Sequence, residues 1–327
     1  MAEWRRLTSA DVTEILEAFG VGGYQAHQPI AAGTINTNVR VTTAGGPLFL
    51  RINEGKTRDD VQLEADIVSW MAARGVPTPE PYRTPAGAPF AAWSGELASL
   101  FPWVPGRTLA RGELTPGHGA AVGRALAQLH KAGADNPDRR EGRYTPDEID
   151  RRLEAIAALG RPELAEAVAT LAPELKALAA ERNPALPCGI IHGDLFVDNV
   201  LFHEDGRLSA LLDFEQASYG RLAYDVAVTL LAFGFGADDF RPDVTRAFLE
   251  AYAAVRRPTR EERAGFGAEL RFAACRFAVT RITDVHLKRG TGAPGGKRFQ
   301  RYLARLARVR QHAGQDLLAL PATSGPC

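Results

Sequence analysis

The sequence has few cysteines, no excess of either charge and no long apolar run. Its 327 residues include three cysteines, Cys188, Cys275 and Cys327, whose spacing suits neither a metal site nor an even set of disulfides. Lys and Arg together number 39, as do Asp and Glu, which excludes a basic field for nucleic acid. The longest apolar run, around residues 226–235, is too short to span a bilayer, and the N-terminus lacks a signal-peptide core. We therefore expect a cytoplasmic protein that acts on small molecules, without nucleic acid or membrane partners.

The length and the apolar periodicity predict two lobes, because a chain of this length exceeds one ordinary core. Short β-rich runs predict strands at 25–31, 39–43, 48–52 and 97–104. Helical spacing predicts helices at 9–20, 58–74, 116–130, from 146, and at 164–180, 224–235, 244–255, 260–289 and 299–311. The predicted fold class is α+β, with an N-terminal lobe at residues 1–104 and a larger, mainly helical C-terminal lobe at 105–327.

The strongest chemical signal lies between His192 and Asp213. His192, Asp194 and Asn199 form the pattern H-x-D-x-x-x-x-N, and Asp213 follows fourteen residues after Asn199. Kinase-like folds use this spacing to place a catalytic Asp and two oxygen ligands around Mg-ATP. Asp194 is predicted to accept the proton of a substrate hydroxyl, whereas Asn199 and Asp213 are predicted to bind Mg²⁺. His192 is interpreted as an organiser of the loop, without a proton-transfer role.

The flanking residues predict how these side chains are held. Residues 188–191 and 200–202 are expected to form two hairpin strands, with a loop at 193–199 between them. Asp205-Gly206 is expected to turn the chain into a return strand at 208–212, which delivers Asp213 beside Asn199. In a simpler interpretation, these polar residues only cap a hairpin. The match of two separate segments in residue type and spacing favours phosphoryl transfer.

The chain resembles the aminoglycoside phosphotransferase and choline kinase superfamily and, within it, the homoserine kinases of that fold. The resemblance rests on the Asp194 loop, on the segment at 30–38 and on the segments at 121–130, 223–229 and 276–281. It implies a two-lobed protein-kinase-like fold, ATP and Mg²⁺ as cofactors, and an alcohol of a small polar molecule as acceptor. Homoserine is the first candidate acceptor, and an aminosugar or an amino alcohol such as choline is the alternative. A catalytically silent nucleotide-binding module is a third hypothesis, which the intact Asp194, Asn199 and Asp213 disfavour.

The resemblance also implies a nucleotide site in the N-terminal lobe. Arg51, on a predicted strand, would contact the phosphates and pair with Glu64 of the next helix. In simpler interpretations, Arg51 faces solvent on its strand and Glu64 is a plain surface residue. The remaining nucleotide-site candidates are the phosphate loop with Gly33, Thr34, Asn36 and Asn38, and the adenine-contacting backbone of Leu100, Phe101 and Trp103.

The acceptor site is less defined by the sequence. This chain has Ile35, Gly193 and Glu215 where homoserine kinases typically have Glu, Ala and Tyr, and it adds the basic residue Arg51. These departures favour the wider aminoglycoside phosphotransferase pattern. An acceptor with an ammonium and a carboxylate needs an acidic and a basic partner near Asp194. The candidates are Asp198, Glu215, Arg276 and Arg281, and because Arg276 and Arg281 are five residues apart on one predicted helix, at most one is expected to point inward.

Overall fold

The computed structural model describes residues 6–30, 36–236, 239–289 and 298–312. The described chain divides into two compact units. The first extends from the N-terminus to Arg107 and includes Leu201–His203 and Ser209–Glu215, whereas the second comprises Thr108–Val200, Glu204–Leu208 and the chain from Gln216 onward. We keep the lobe boundary after residue 104 as a prediction.

A five-stranded antiparallel sheet dominates the first unit. Its strands are β1 (Tyr24–Ile30), β2 (Thr37–Thr43), β3 (Gly46–Asn53), β4 (Ala91–Trp93) and β5 (Glu96–Pro102), in the spatial order β1-β2-β3-β5-β4. The helices α1 (Ser9–Ala18) and α2 (Arg58–Ala72) each begin after a threonine, Thr8 and Thr57, whose hydroxyl caps the first turn. Alternating apolar residues of β2 and β3 share a core with α1. The predicted strands and helices of this unit are confirmed, apart from the short β4, which was missed.

The second unit is mainly helical, as predicted. Its helices are α3 (Pro116–Ala132), α4 (Pro146–Ala158), α5 (Ala165–Glu181), α6 (Leu222–Phe233), α7 (Pro242–Val255), α8 (Arg260–Arg281), α9 (Leu287–Arg289) and α10 (Gln300–Gln311). Helices α3 and α7 approach closely because Gly119 and Gly123 of α3 have no Cβ atom. A Cβ at either position would collide with the backbone of α7. Helix α8 packs against α6 and α10. None of the helices within the described ranges is long and apolar enough to cross a membrane.

Two features of the chain after residue 107 differ from the prediction. The helix predicted at 260–289 is interrupted by a π-helical segment, Ile282–His286, between α8 and α9. The two strands that flank the Asp194 loop do not form one hairpin: β6 (Cys188–Ile191) pairs with β9 (Ser218–Arg221), and β7 (Val200–Phe202) pairs with β8 (Leu208–Leu211). The loop between β6 and β7 contains a 3₁₀ turn, Val197–Asn199, so it is no tight hairpin connection.

Candidate active site

The loop between β6 and β7 holds Asp194 with its carboxylate partly exposed. The Asp194 carbonyl accepts hydrogen bonds from the Phe196 N–H at 2.8 Å and from Asn199 Nδ2 at 2.9 Å. The Asp194 N–H donates to His192 Nδ1 at 3.4 Å, so in this contact the His192 ring accepts a hydrogen bond within the loop, whereas it was expected to donate one. The Asp194 side chain is 29% exposed. The loop therefore fixes the backbone of Asp194 and leaves its carboxylate accessible, while Asn199 keeps an oxygen, Oδ1, that it does not use in this loop.

A buried carboxylate that the sequence analysis missed anchors this loop. Asp225 of α6 is fully buried, and its two oxygens accept the backbone N–H groups of His192 and Gly193 at 2.8 Å each. His130 Nε2 lies 3.0 Å from the same carboxylate, and His130 Nδ1 lies 2.7 Å from the Tyr252 hydroxyl. Burial by itself would raise the pKa of Asp225, but its interactions with His130 and His192 hold that pKa below the usual value. The signal in the sequence that could have identified Asp225 was its position as the single acidic residue of the apolar helix α6.

We expect Asp225→Asn to lower the free energy of unfolding at pH 7 by about 3 kcal/mol or more. The amide would turn an N–H donor toward the backbone N–H groups of the loop. Because folding depresses the pKa of Asp225, the carboxylate stabilises the protein fully above the ordinary aspartate pKa of 3.8 and loses this effect as the pH falls further. Urea unfolding at pH 7 and pH 3.5 measures this, with exposed Asp135→Asn as the control. Equal stability of Asp225→Asn and wild type at pH 7 would contradict the anchoring role.

A cavity of about 300 Å³ in the second unit borders this loop at Gly193. Arg276 lines it, is 3% exposed and places Nη1 3.5 Å from Asp194 Oδ1. The Arg276 guanidinium lies over the rings of Phe277 and Tyr144, with Cζ 3.8 and 4.2 Å from the ring centroids. Arg276 therefore both forms the cavity wall and orients the carboxylate of Asp194.

The cavity wall is basic. Among the described residues, it includes four arginines and a single acidic residue, Glu141. Two of these arginines, Arg182 and Arg221, bind the fully buried Glu269 at 2.7 and 2.9 Å. One carboxylate thus preorganises two guanidinium groups at the wall, and the net charge of the lining stays positive.

Arg281 also lies beside the loop that carries Asp194. Its Cζ lies 6.0 Å from the ring centroid of Phe196, and its Nε atom is buried without a hydrogen-bond partner among the described residues. The expectation that only one of Arg276 and Arg281 points inward is therefore wrong. Asp194 and Phe196 are two residues apart along the loop, so different faces of α8 can reach it. Asp198, the fourth acceptor candidate in the sequence, is an exposed residue of the same loop.

In the first unit, Arg51 and Glu64 form the predicted ion pair. Arg51 is 7% exposed, and its Nη1 and Nη2 donate to Glu64 Oε1 and Oε2 at 3.1 and 2.6 Å. Arg51 Nε donates to Asn53 Oδ1 at 2.8 Å. Burial lowers the pKa of Arg51, but Glu64 and Glu215 outweigh it and raise that pKa above the usual value. Arg51 is therefore a fixed, buried cation, and the interpretation of Arg51 as a solvent-facing strand residue is wrong.

Glu215 lies beside the nucleotide-site candidates of the first unit. Its carboxylate accepts a hydrogen bond from Asn36 Nδ2 and lies 3.0 Å from Lys56 Nζ and 3.8 Å from Arg51 Nη1. Burial by itself would raise the pKa of Glu215, but Arg51, Lys56 and Asn36 hold that pKa below the usual value. These contacts place Glu215 beside predicted nucleotide-site residues of the first unit, and its acceptor role stays a prediction. They also add Lys56, which the sequence analysis missed because it follows a turn glycine, Gly55, without a motif.

The other nucleotide-site candidates have mixed outcomes. Gly33 and Thr34 lie outside the described residues, and Asn38 pairs with Arg51 across β2 and β3. Of the adenine-contact candidates, Leu100 is fully buried and its carbonyl accepts the Tyr82 N–H, Phe101 packs against Phe49, and the Trp103 N–H donates to Pro47. Part of that backbone is therefore already hydrogen-bonded within the first unit, which leaves fewer groups for adenine than predicted.

Asp213 follows β8 in a left-handed backbone conformation, with φ of +62°. An aspartate in this region costs conformational energy and persists only where its surroundings impose it. The conformation is typical of residues held for a functional purpose, which fits the predicted role of Asp213 as an oxygen ligand of Mg²⁺.

Comparison with known proteins decides the family. A family model described as the phosphotransferase enzyme family matches residues 26–266. The chain belongs to this family. The homoserine kinase of Xanthobacter autotrophicus is 36% identical over 291 residues, which cover 87% of this chain and 88% of that protein. The homoserine kinase of Methylobacillus glycogenes is 33% identical and covers 98% of this chain and 99% of its own length.

Solved structures show the fold of the phosphotransferase. An amicoumacin kinase solved with AMP-PNP and Ca²⁺ superposes with a TM-score of 0.66 at 17% identity, covering 89% of each chain. A choline/ethanolamine kinase family protein from Mesorhizobium loti superposes with a TM-score of 0.64 at 20% identity, covering 96% of each chain. The phosphotransferase therefore has the predicted α+β, two-lobed, protein-kinase-like fold. It is an ATP-dependent enzyme that acts on small molecules.

The pair of Arg51 and Glu64 predicts strong coupling in the kinetics of the phosphotransferase. If Glu64 holds Arg51 toward the ATP phosphates, Arg51→Ala and Glu64→Ala each remove the same oriented contact. Their costs to kcat/KM for ATP should then be far from additive in the double variant. Arg51→Lys should restore only part of the activity, because an ammonium cannot replace a guanidinium fork. Additive costs in a steady-state double-mutant cycle, or a harmless Arg51→Ala, would argue against this role.

Proposed function

We propose that this phosphotransferase transfers the γ-phosphoryl group of ATP to the hydroxyl group of homoserine. Relatives named homoserine kinase, at 32–36% identity over 87% or more of the chain, support the acceptor. One observation carries the reaction: Asp194 presents an accessible carboxylate from a loop whose backbone is held by buried Asp225. Positioning of this kind is the main contribution a protein makes to phosphoryl transfer.

In the proposed reaction, the acceptor hydroxyl oxygen forms a bond to the γ-phosphorus of ATP. The bond from that phosphorus to the β-phosphate oxygen breaks, ADP leaves, and the hydroxyl proton passes to the Asp194 carboxylate. Arg276, 3.5 Å from that carboxylate, keeps it oriented. Arg51 and Lys56, held by Glu64 and Glu215, supply positive charge for the phosphate groups.

Mg²⁺ is the proposed metal, with Asn199 and Asp213 as its protein ligands. The Oδ1 atom of Asn199 and the carboxylate of Asp213 are oxygen donors, the ligand type that Mg²⁺ prefers. When bound, the ion would neutralise charge on the transferring phosphate. Two protein oxygens fit this metal, because Mg²⁺ in kinases keeps water and phosphate oxygens as its remaining ligands.

The charge of the cavity disfavours the alternative acceptors that are cations. Aminoglycosides and choline are cations and require acidic partners, whereas the described wall of the cavity has one acidic residue against four arginines. Homoserine carries no net charge at neutral pH, so a basic wall repels it less than it repels these cations. We also propose a cytoplasmic location, since Cys188 and Cys275 are free thiols.

ADP release tests the proposal when it is measured with homoserine, choline, methylthioribose and kanamycin as acceptors. We expect kcat/KM for homoserine to exceed that for each other acceptor by at least about 10-fold, a difference that one recognised carboxylate can produce. A preference for choline or kanamycin would overturn the assignment of homoserine as the acceptor and would leave the assignment as a kinase unchanged. ATP binding without turnover of any acceptor would favour the silent module.

A further inference from the structure

Four arginines of the second unit, Arg111, Arg281, Arg301 and Arg305, form a group that we call the arginine cluster. Burial lowers the pKa of Arg111, the charges of Arg301 and Arg281 lower it further, and the charge of Asp198 opposes them. Burial likewise lowers the pKa of Arg305, as do the charges of Arg111 and Arg301. Within the described part of the chain, none of these four arginines has a carboxylate within ion-pair distance. The cluster is therefore a concentration of positive charge that no carboxylate of the described residues pairs with directly.

Arg305 of α10 is the most buried member of the cluster. It is 2% exposed, and neither Nη1 nor Nη2 has a hydrogen-bond partner among the described residues. Its Cζ lies 5.1 Å from the ring centroid of Phe235 and 5.0 Å from that of Tyr302. Buried guanidinium groups in folded proteins are normally paired and hydrogen-bonded, so this unpaired fork calls for a ligand.

Two other cluster members, Arg281 and Arg111, also retain hydrogen-bonding capacity. Arg281 has a buried Nε atom without a partner in the described ranges. Arg111 Nη1 reaches a single backbone carbonyl, that of Ala232, at 3.3 Å. Arg281 and Arg305 thus keep unused N–H donors, and such donors suit an anion with more than one acceptor oxygen.

Aromatic contacts tie the cluster to the loop that carries Asp194. Phe196, two residues after Asp194, contacts Phe277 of α8 edge-on, with ring centroids 4.9 Å apart. Phe277 stacks on Tyr302 of α10 at 5.1 Å, and Tyr302 lies one helical turn before Arg305. Arg281 lies 6.0 Å from the Phe196 ring. An anion in the cluster would therefore lie beside the catalytic loop.

The cavity described above offers weaker anion binding than the cluster. Arg182 and Arg221 are already bound to Glu269, and Arg276 contacts Asp194. A further anion there would compete with these carboxylates. In the arginine cluster no described carboxylate has to be displaced, so the cluster is the better site for an anion.

We propose that the arginine cluster binds the carboxylate of the acceptor, an inference that rests on the proposed function. A carboxylate matches the planar guanidinium fork of Arg305 and can accept further hydrogen bonds from Arg281. Asp198, an exposed carboxylate two residues after Phe196 in the same loop, is the proposed partner for the acceptor ammonium. The acceptor class is thus an amino acid with a side-chain hydroxyl, and an amino alcohol without the carboxylate is discriminated against.

The test compares Arg305→Met with wild type on two acceptors, L-homoserine and 3-amino-1-propanol, which lacks only the carboxylate. We expect Arg305→Met to raise KM for L-homoserine by about 10- to 100-fold, the usual range for losing charge-assisted hydrogen bonds. KM for 3-amino-1-propanol should change by less than about twofold, because that acceptor makes no such contact. Arg308→Gln is the control on the same helix, since Arg308 pairs with Gln311 and lies outside the cluster.

Thermal unfolding separates binding from a structural role. Arg305→Met removes an unpaired buried charge, so its Tm should equal or exceed that of wild type. If Arg305→Met raised KM equally for both acceptors and also lowered Tm, the proposal would be overturned. Arg143→Gln changes a residue of the cavity wall. If it raised KM for L-homoserine selectively while Arg305→Met did not, the proposal would also be overturned.

Two further outcomes keep the inference distinguishable from the proposed function. If the wild-type enzyme fails to phosphorylate homoserine, the proposed function is overturned. If the wild type is active but Arg305→Met changes KM for both acceptors alike, only the inference is overturned. If Arg305→Met does not fold, Arg281→Gln carries the same test, because Arg281 is only partly buried. We expect the same carboxylate-selective rise in KM, and its absence would count against the cluster.

Discussion

Asp194→Asn is expected to lower kcat by roughly 10²-fold or more while ATP still binds. The amide keeps the size of the side chain, and the backbone hydrogen bonds that hold the loop do not involve the carboxylate. The lost property is the ability to take the acceptor proton as the new bond to phosphorus forms. Steady-state kinetics with homoserine and calorimetric titration with ATP measure the two effects separately.

The control for this variant is Asp205→Asn, an exposed turn aspartate paired with Arg207 on the surface. It removes one carboxylate from the same unit and should leave kcat within about twofold. An Asp194→Asn variant with wild-type kcat would refute the assignment of the base. A variant that no longer binds ATP would instead indicate that Asp194 acts on the nucleotide.

Asp213→Asn and Asp213→Ala are expected to abolish nearly all activity and to weaken the Mg²⁺ dependence of nucleotide binding. Each removes the carboxylate proposed for the metal, which leaves the phosphate charge poorly neutralised. The two variants differ in backbone cost, because asparagine tolerates the left-handed conformation at φ of +62° better than alanine does. Activity and ADP binding over a Mg²⁺ titration provide the measurement.

Stability distinguishes the metal role of Asp213 from a backbone role. If the metal role is correct, both variants lose activity alike, although Asp213→Ala is the less stable in thermal unfolding. If only Asp213→Ala loses activity, the backbone conformation matters and the carboxylate does not. Normal Mg²⁺ dependence in both variants would favour the interpretation in which these residues only cap a hairpin.

Candidate site residues that lie close together along the chain were predictable from the sequence. His192, Asp194 and Asn199 lie within eight residues, so the chain itself keeps them together in one loop whatever the rest of the fold does. Arg51 and Glu64 were predictable for a related reason, because the resembled fold pairs a strand with the helix that follows it. The sequence therefore determined the family, the reaction class and the first candidate residues of the proposed nucleotide and catalytic sites.

Tertiary structure alone decided the contacts between residues far apart in the chain. Asp225 anchors a loop more than thirty residues before it, and nothing in the local pattern shows which backbone groups a buried carboxylate will accept. Glu215 was expected at the acceptor, but folding places it with Asn36 and Lys56, because the chain at Ser209–Glu215 returns to the first unit.

The proposed acceptor site depended most on the tertiary structure. Helical periodicity placed Arg276 and Arg281 on different faces and allowed only one inward, yet both reach the catalytic loop. Arg111 and Arg305 join Arg281 from segments far apart in sequence, and each of them by itself looks like a surface arginine. Periodicity reports the direction of a side chain relative to its own helix axis. The partners that a charged side chain meets depend on which elements pack against that helix, and only the folded chain determines them.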